Sequence, residues 1–190
     1  MIRKILRISI ILASIVGLSV ATNAYAGQFI GTSGDDTISG TNQADLIRGL
    51  AGNDILSGLG GDDRIFGNDG QDRISGGDGA DQILGGVGRD IIHGDGGSDR
   101  IQGDAGNDTL FGDSGGDVLR GGSGNDEIKG GDGGDKIYGD AGRDKLYGNS
   151  GNDVIYGGSG VDFIVGGLGY DVCYVDPGDR YMDCEVVYGR

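Results

Sequence analysis

The chain has 190 residues, of which 45 are glycine and one is proline, and its formal net charge is −15. This composition excludes an ordinary globular domain, and a collagen-like chain would need glycine at every third residue together with abundant proline. The negative charge argues against nucleic acid and anionic lipid as partners and favours cations.

Residues 1–26 have the pattern of a secretory signal peptide. Basic residues up to Arg7 precede an apolar run over residues 8–21, and the small-residue sequence Ala24-Tyr25-Ala26 follows. We therefore expect cleavage before Gly27 and a secreted, extracellular protein. A retained membrane anchor is the alternative, but the run has 14 residues, fewer than the roughly 20 that span a bilayer.

From Gly31 to Tyr174 the chain consists of sixteen nine-residue units in strict phase, which indicates a repeat architecture. Position 1 of every unit is glycine, and position 4 is glycine in all but the second unit, which has Gln43. Position 8 is Ile or Leu in every unit except the last, which has Cys173. A disordered acidic tract would not keep an aliphatic residue in register over so long a stretch.

Position 6 is aspartate in all sixteen units. These aspartates are Asp36, Asp45, Asp54, Asp63, Asp72, Asp81, Asp90, Asp99, Asp108, Asp117, Asp126, Asp135, Asp144, Asp153, Asp162 and Asp171. They are the candidate metal ligands of the chain.

Each unit combines turn-forming residues with a short strand. Positions 1–6 are rich in Gly, Asn, Asp and Ser, whereas positions 7–9 place one aliphatic residue between two outward residues, which predicts a three-residue strand. Glycine at positions 1 and 4 indicates positive φ or a close approach of the main chain to another group. We predict an all-β, right-handed parallel solenoid of two sheets, in which two units form one coil and sixteen form about eight coils.

The unit GGxGxDxUx, where U is a large aliphatic residue, resembles the calcium-binding nonapeptide of the RTX or hemolysin-type family. The sequence GGSGNDEIK at Gly121 to Lys129 is an example, and the resemblance covers Gly31 to Tyr174. It implies a parallel β-roll over residues 27–174, with rows of Ca²⁺ between stacked turns. It also implies that the position-6 aspartates of adjacent coils, together with main-chain carbonyls of the glycine-rich positions, hold each ion.

Electrostatics alone also predicts a cation. Stacking every second unit would place the position-6 aspartates in two columns, with neighbours about 4.8 Å apart. Two carboxylates at that distance repel by about 0.8 kcal/mol even in water. Carboxylate and carbonyl oxygens select Ca²⁺ or Mg²⁺, and a cage rich in protein oxygens favours Ca²⁺. We therefore expect several Ca²⁺ ions, at most about fourteen, and folding that depends on their binding.

The two ends depart from the repeat. If position 4 requires positive φ, Gln43 costs about 1 kcal/mol, so the sites near Asp36 and Asp45 are expected to be the weakest. In an exported chain, Cys173 and Cys184 predict one disulfide, with two free thiols or an intermolecular bridge as the alternatives. A bridge would hold residues 175–190 as a cap across the open end of the roll.

Tyr138, Tyr156 and Tyr174 recur at position 9 and predict an aromatic column on an outer face. One interpretation is that aromatic residues simply suit an exposed sheet; the alternative is an adhesive strip for an extracellular glycan, the matrix or a second copy of the chain. The single histidine, His93, is also at an outward position, and we expect it to be solvated. No catalytic motif is recognised, so an enzyme or its accessory piece is the least favoured class.

Overall fold

The computed structural model describes residues 27–189, so the predicted signal peptide lies outside the described residues. Within this range no helix is long and apolar enough to cross a membrane. The strands are β1 (Gln28–Ile30), β2 (Thr37–Ser39), β3 (Leu46–Ala51), β4 (Ile55–Gly60), β5 (Arg64–Asp69), β6 (Arg73–Asp78), β7 (Gln82–Val87), β8 (Ile91–Gly96), β9 (Arg100–Ala105), β10 (Thr109–Ser114), β11 (Val118–Ser123), β12 (Glu127–Asp132), β13 (Lys136–Gly142), β14 (Lys145–Ser150), β15 (Val154–Tyr156), β16 (Ser159–Gly160), β17 (Phe163–Leu168), β18 (Val172–Val175), β19 (Arg180–Met182) and β20 (Val186–Gly189).

The strands form two parallel sheets, and successive strands of the chain alternate between them over most of its length. One sheet has the order β1-β3-β5-β7-β9-β11-β13-β15-β18-β20, with β16 also paired to β13. The other has the order β19-β17-β14-β12-β10-β8-β6-β4-β2. Each strand therefore pairs with the strand one full coil away, and the chain is a two-sheet parallel β-solenoid of about nine turns. This architecture matches the predicted parallel β-roll.

Two units make one coil throughout the repeat region. The strand register joins residues 18 apart, for example Leu110 with Ile128 and Ile128 with Leu146. The roll also begins before the first unit, because Gln28–Ile30 pairs with the start of β3.

Most strands are six residues long rather than the three predicted, because they also include positions 1–3 of the following unit. Ladder pairing continues through these glycine-rich positions, as in Gly122 with Asp140. Hydrogen bonds between stacked main chains extend the strand where side-chain hydrophobicity gives no signal. The turn proper is therefore confined to positions 4–6.

The core consists of the position-8 side chains stacked between the two sheets. Fifteen Ile or Leu residues from Ile38 to Ile164, together with Cys173, are at most 6% exposed. Phe29, Cys184 and Val187 pack partly buried against the ends of this core. Burying one such aliphatic side chain contributes about 2 kcal/mol, so a shift in register that exposed these side chains would be unfavourable. The core is narrow, because each coil contributes only two position-8 side chains.

The C-terminal tail adds one further coil to the roll. Strand β19 pairs with β17 and strand β20 pairs with β18, at sequence separations of 17 and 14 instead of 18. A disulfide joins Cys173 in the core to Cys184 in the tail, with their Cα atoms 6.0 Å apart. The tail thus stacks on the last repeat as a coil, rather than folding back across the open end.

Candidate metal centre

The position-6 aspartates lie in two columns inside the roll, one residue per coil in each column. From Asp45 to Asp171 all fifteen are at most 5% exposed, whereas Asp36 in the first unit is partly exposed. They precede the strands directly, so the main-chain pairing of the coils fixes where each carboxylate lies. The structure therefore brings all sixteen predicted residues into two stacked sets.

One carboxylate oxygen of nearly every aspartate in the columns accepts a hydrogen bond from the coil before it. The amide of Asp81 donates to Oδ1 of Asp99 at 2.8 Å, and the amide of Asp99 donates to Oδ1 of Asp117 at 2.8 Å. The same contact recurs along both columns at separations of 18 residues. This contact orients each carboxylate and leaves Oδ2 directed elsewhere.

The other oxygen, Oδ2, has no hydrogen-bond partner in fourteen of the sixteen aspartates, although it is buried. These are the aspartates of units three to sixteen, from Asp54 to Asp171. A buried carboxylate oxygen without a partner is strongly unfavourable. Fourteen such atoms in a repeating arrangement therefore indicate that these oxygens are arranged to bind cations.

Each unpartnered Oδ2 lies over a glycine that leaves space for an ion. A methyl group added to Gly94 would lie 2.5 Å from Oδ2 of Asp99 and 2.8 Å from the carbonyl oxygen of Gly112 in the next coil. The φ of Gly94 is not positive, so main-chain conformation does not require glycine at position 1. Glycine is required there because a side chain would collide with these two oxygens. Carboxylate and carbonyl oxygens converging on one small space are the donor set that Ca²⁺ prefers, so the residues fit this ion.

The electrostatics of the columns point the same way. From Asp54 to Asp171, burial raises the pKa of each position-6 aspartate, the hydrogen bond from the preceding coil lowers it, and for most of them neighbouring carboxylates raise it again. The pKa reaches about 7 for Asp63, Asp90, Asp99 and Asp144, and about 6 for Asp54, Asp108, Asp117, Asp135 and Asp153. The raised pKa values mean that the buried carboxyl groups favour the protonated form. A cation between the coils would lower these pKa values and keep the carboxylates ionised.

The first two units satisfy Oδ2 in a different way. The amide and hydroxyl of Thr32 donate to Oδ2 of Asp36 at 2.6 and 3.0 Å, and those of Thr41 donate to Oδ2 of Asp45 at 2.6 and 2.9 Å. Threonine at position 2 therefore takes the role that a cation would have in the later units.

The sequence predicts weak sites near Asp36 and Asp45 because of strain at Gln43, and the structure shows a different cause. Position 4 has positive φ in the later units, as at Gly97 with 138°, but Gln43 is not among the residues with positive φ. The first two turns have another conformation, so Gln43 carries no such strain. The sequence signal that matters is threonine at position 2.

Two more features of the turns were not predicted from the sequence. Position 2 also has positive φ from unit three onwards, which suits the glycine, Asn and Asp found there but not Leu50 at 85° and Leu59 at 79°. At position 5, several Asn and Asp side chains accept an amide from the next coil, as Oδ1 of Asn107 does from Asn125 at 2.7 Å. The recurrence of Asn and Asp at positions 2 and 5 is the sequence pattern from which both features could have been predicted.

The tyrosine column is present on the outer face and is longer than predicted. Tyr138, Tyr156 and Tyr174 stack face to face with centroids 4.8 and 4.3 Å apart, and Tyr188 continues the stack at 4.9 Å. Arg120 lies over the free face of Tyr138, 4.8 Å from its centroid. The ring faces of Tyr156 and Tyr174 are therefore covered by other rings, while both residues remain partly exposed.

His93 lies on the opposite sheet and is not merely solvated as expected. Its ring stacks on Phe111 with centroids 4.3 Å apart, and its Nδ1 lies 2.9 Å from Oδ2 of Asp113. Both His93 and Asp113 remain partly exposed.

Comparison with protein families gives an independent result for the whole repeat region. The family model described as the RTX calcium-binding nonapeptide repeat, which spans four copies, matches residues 30–65, 57–92, 84–119, 93–128, 111–146 and 138–173. Comparison with individual curated proteins gave no significant match. The repeats of this family bind Ca²⁺ between turns. With matches that together run from residue 30 to residue 173, the chain belongs to the RTX calcium-binding nonapeptide repeat family.

Proposed function

We propose that the protein is a secreted calcium-binding roll whose folding is coupled to calcium binding. The observation that carries the proposal is the set of fourteen buried, unpartnered Oδ2 atoms, each facing a space lined by glycine. The ligands are the position-6 aspartates from Asp54 to Asp171, together with main-chain carbonyls of the adjacent coil. Asp36 and Asp45 bind more weakly because threonine already donates to their Oδ2 atoms.

Coupled folding follows from the arrangement of the charges. Without a cation, folding buries a row of carboxylates beside one another, which opposes the narrow hydrophobic core. Calcium replaces this repulsion by attraction, and the sites do not exist until the coils have stacked. The chain is therefore expected to be unfolded where calcium is scarce and folded where it is abundant.

Export supports the same proposal. Residues 1–26 have the signal-peptide pattern, and the Cys173–Cys184 disulfide is typical of an oxidising compartment. Residues 27–174 form the calcium-binding roll in this proposal, and residues 175–190 close its end. No catalytic role is included, because an RTX roll is a structural calcium-binding fold.

Circular dichroism during a calcium titration tests the proposal. The purified protein is expected to be disordered in a calcium chelator and to gain β-structure as calcium is added, whereas magnesium at the same concentration should not replace calcium. Equal β-structure in chelator and in calcium would refute coupled folding. N-terminal sequencing of protein recovered outside the cell should begin at Gly27, and a retained Met1 would refute the signal-peptide assignment.

Adhesion through the tyrosine column is a second candidate, favoured by the continuous stack of four rings. Because the inner ring faces are covered, a glycan or a second copy of the chain would have to bind the ring edges and hydroxyl groups. Replacing Tyr138, Tyr156 and Tyr174 by serine should abolish binding to a glycan array or to cells and leave calcium binding intact. Unchanged binding would reject this role.

A further inference from the structure

The two aspartate columns do not end with the last nonapeptide. The amide of Asp162 donates to Oδ1 of Asp179 at 2.9 Å, and the amide of Asp171 donates to Oε2 of Glu185 at 2.7 Å. These contacts repeat the one that links successive aspartates within the columns. Asp179 and Glu185 therefore occupy the next place in each column, although they lie only 17 and 14 residues further along the chain.

We call the column from Asp36 to Asp162 the first column and the column from Asp45 to Asp171 the second. At the end of the first column, two carboxylates face the same small space. A methyl group added to Gly157 would lie 2.9 Å from Oδ2 of Asp162 and 3.1 Å from Oδ2 of Asp179. The Asp179 oxygen also accepts the Asp176 amide at 2.7 Å, but with one donor instead of the two found at Asp36 and Asp45 it keeps a lone pair for a cation. Oδ2 of Asp162 is buried and has no hydrogen-bond partner. In the repeats the second oxygen in this place is a main-chain carbonyl, so here the tail supplies a carboxylate instead.

At the end of the second column, the tail supplies a main-chain carbonyl. Oδ2 of Asp171 is fully buried and unpartnered, and it would lie 2.7 Å from a methyl group added to Gly166. The carbonyl oxygen of Asp183 faces the same point and thereby replaces the glycine carbonyl of the repeats. The disulfide at Cys184 holds this carbonyl and Glu185 against the last coil.

We infer that the tail completes the last calcium site of each column, with the Asp179 carboxylate as a ligand in one and the Asp183 carbonyl oxygen as a ligand in the other. This inference rests on the proposed calcium-binding function. It moves the calcium array one coil toward the C-terminus, because the first two aspartates have their Oδ2 atoms bound by threonine while the last two face the tail. The nonapeptide pattern therefore does not mark where the array ends.

Native mass spectrometry can count the bound calcium ions in variants of the tail. Asp179→Asn removes a carboxylate and keeps an oxygen that can accept the same amide from Asp162, so this variant should bind one ion fewer than the wild type. Gly157→Ala should lose the ion beside Asp162, and Gly166→Ala the ion beside Asp171, because each methyl group would fill the space between the oxygens while all carboxylates are retained. Asp183→Asn is the matched control, since it removes a tail carboxylate but keeps the carbonyl that faces the site, and its count should equal that of the wild type.

The outcomes separate this inference from the proposed function. A wild-type protein that binds no calcium would refute both. Wild-type binding with unchanged counts in Asp179→Asn, Gly157→Ala and Gly166→Ala would refute the tail sites alone. A variant that failed to fold would lose many ions instead of one, and the remaining two variants would then decide the result.

Discussion

Acidification should promote folding of the calcium-free protein, which is the opposite of ordinary acid denaturation. In the folded chain, burial raises the pKa of Asp63 and Asp99 from 3.8 to about 7. A folded-state pKa above the unfolded value means that the folded state binds protons more tightly. The stability of the calcium-free roll is therefore greatest below the unfolded pKa and falls as the pH rises through about 7.

The size of the effect follows from the pKa of a single residue. For Asp99, the rise from 3.8 to about 7 corresponds to about 4 kcal/mol of lost stability at neutral pH. A whole domain is stable by only about 5–15 kcal/mol. The aspartates of one column are neighbours, so their contributions are coupled and do not simply add. Even one such residue is enough to shift the folding equilibrium measurably.

Far-UV circular dichroism in calcium-free buffer measures this effect directly. Between about pH 7.5 and about pH 4.5 the protein should gain β-structure. Asp99→Asn imitates the neutral carboxyl group, so it should stabilise the calcium-free roll and weaken calcium binding. Asp69→Asn removes the same charge from an exposed position and should do neither. A calcium-free protein that is equally folded at both pH values, or that unfolds on acidification, would refute the electrostatic account.

Three further predictions address individual residues. Gly94→Ala should bind one calcium ion fewer in native mass spectrometry, because the methyl group would fill the space beside Asp99. The control Gly96→Ala, whose methyl group would meet Oδ1 of Asp78 only at 3.6 Å, should bind as many ions as the wild type. Equal counts in the two variants would contradict the site. The double substitution Thr41→Gly and Gln43→Gly removes the hydroxyl donor and allows positions 2 and 4 the positive φ of the later units, in which no amide reaches Oδ2. It should therefore free Oδ2 of Asp45 and add one ion, whereas an unchanged count would show that the conformation of this turn does not block the site. Cys173→Ala with Cys184→Ala should lower the free energy of unfolding by about 3 kcal/mol in saturating calcium; a thermal midpoint equal to that of the wild type would show that the bridge does not hold the last coil.

The sequence was sufficient to predict the roll because one unit repeats in phase. Aliphatic residues at position 8 predicted the core from Ile38 to Cys173, and the invariant aspartates predicted the two columns. Because the repetition is exact, the neighbour of each residue in the next coil can be predicted from the sequence alone. This is rarely possible for a globular domain.

Three departures from prediction depend on hydrogen bonds that the repeat pattern does not encode. The strands are six residues long because main-chain pairing continues through glycine, and Thr32 and Thr41 bind the carboxylates of their own units. The tail keeps the columns going with Asp179 and Glu185 at irregular spacings. Since only the folded coils bring these groups together, periodicity alone could not have found them.

Diffraction from crystals grown with calcium would test the central claim most directly. The account predicts two rows of ions between stacked coils, each ion beside one Oδ2 atom from Asp54 to Asp171 and a carbonyl or carboxylate oxygen of the next coil. A fully folded roll in saturating calcium, with no ion beside these oxygens, would contradict it.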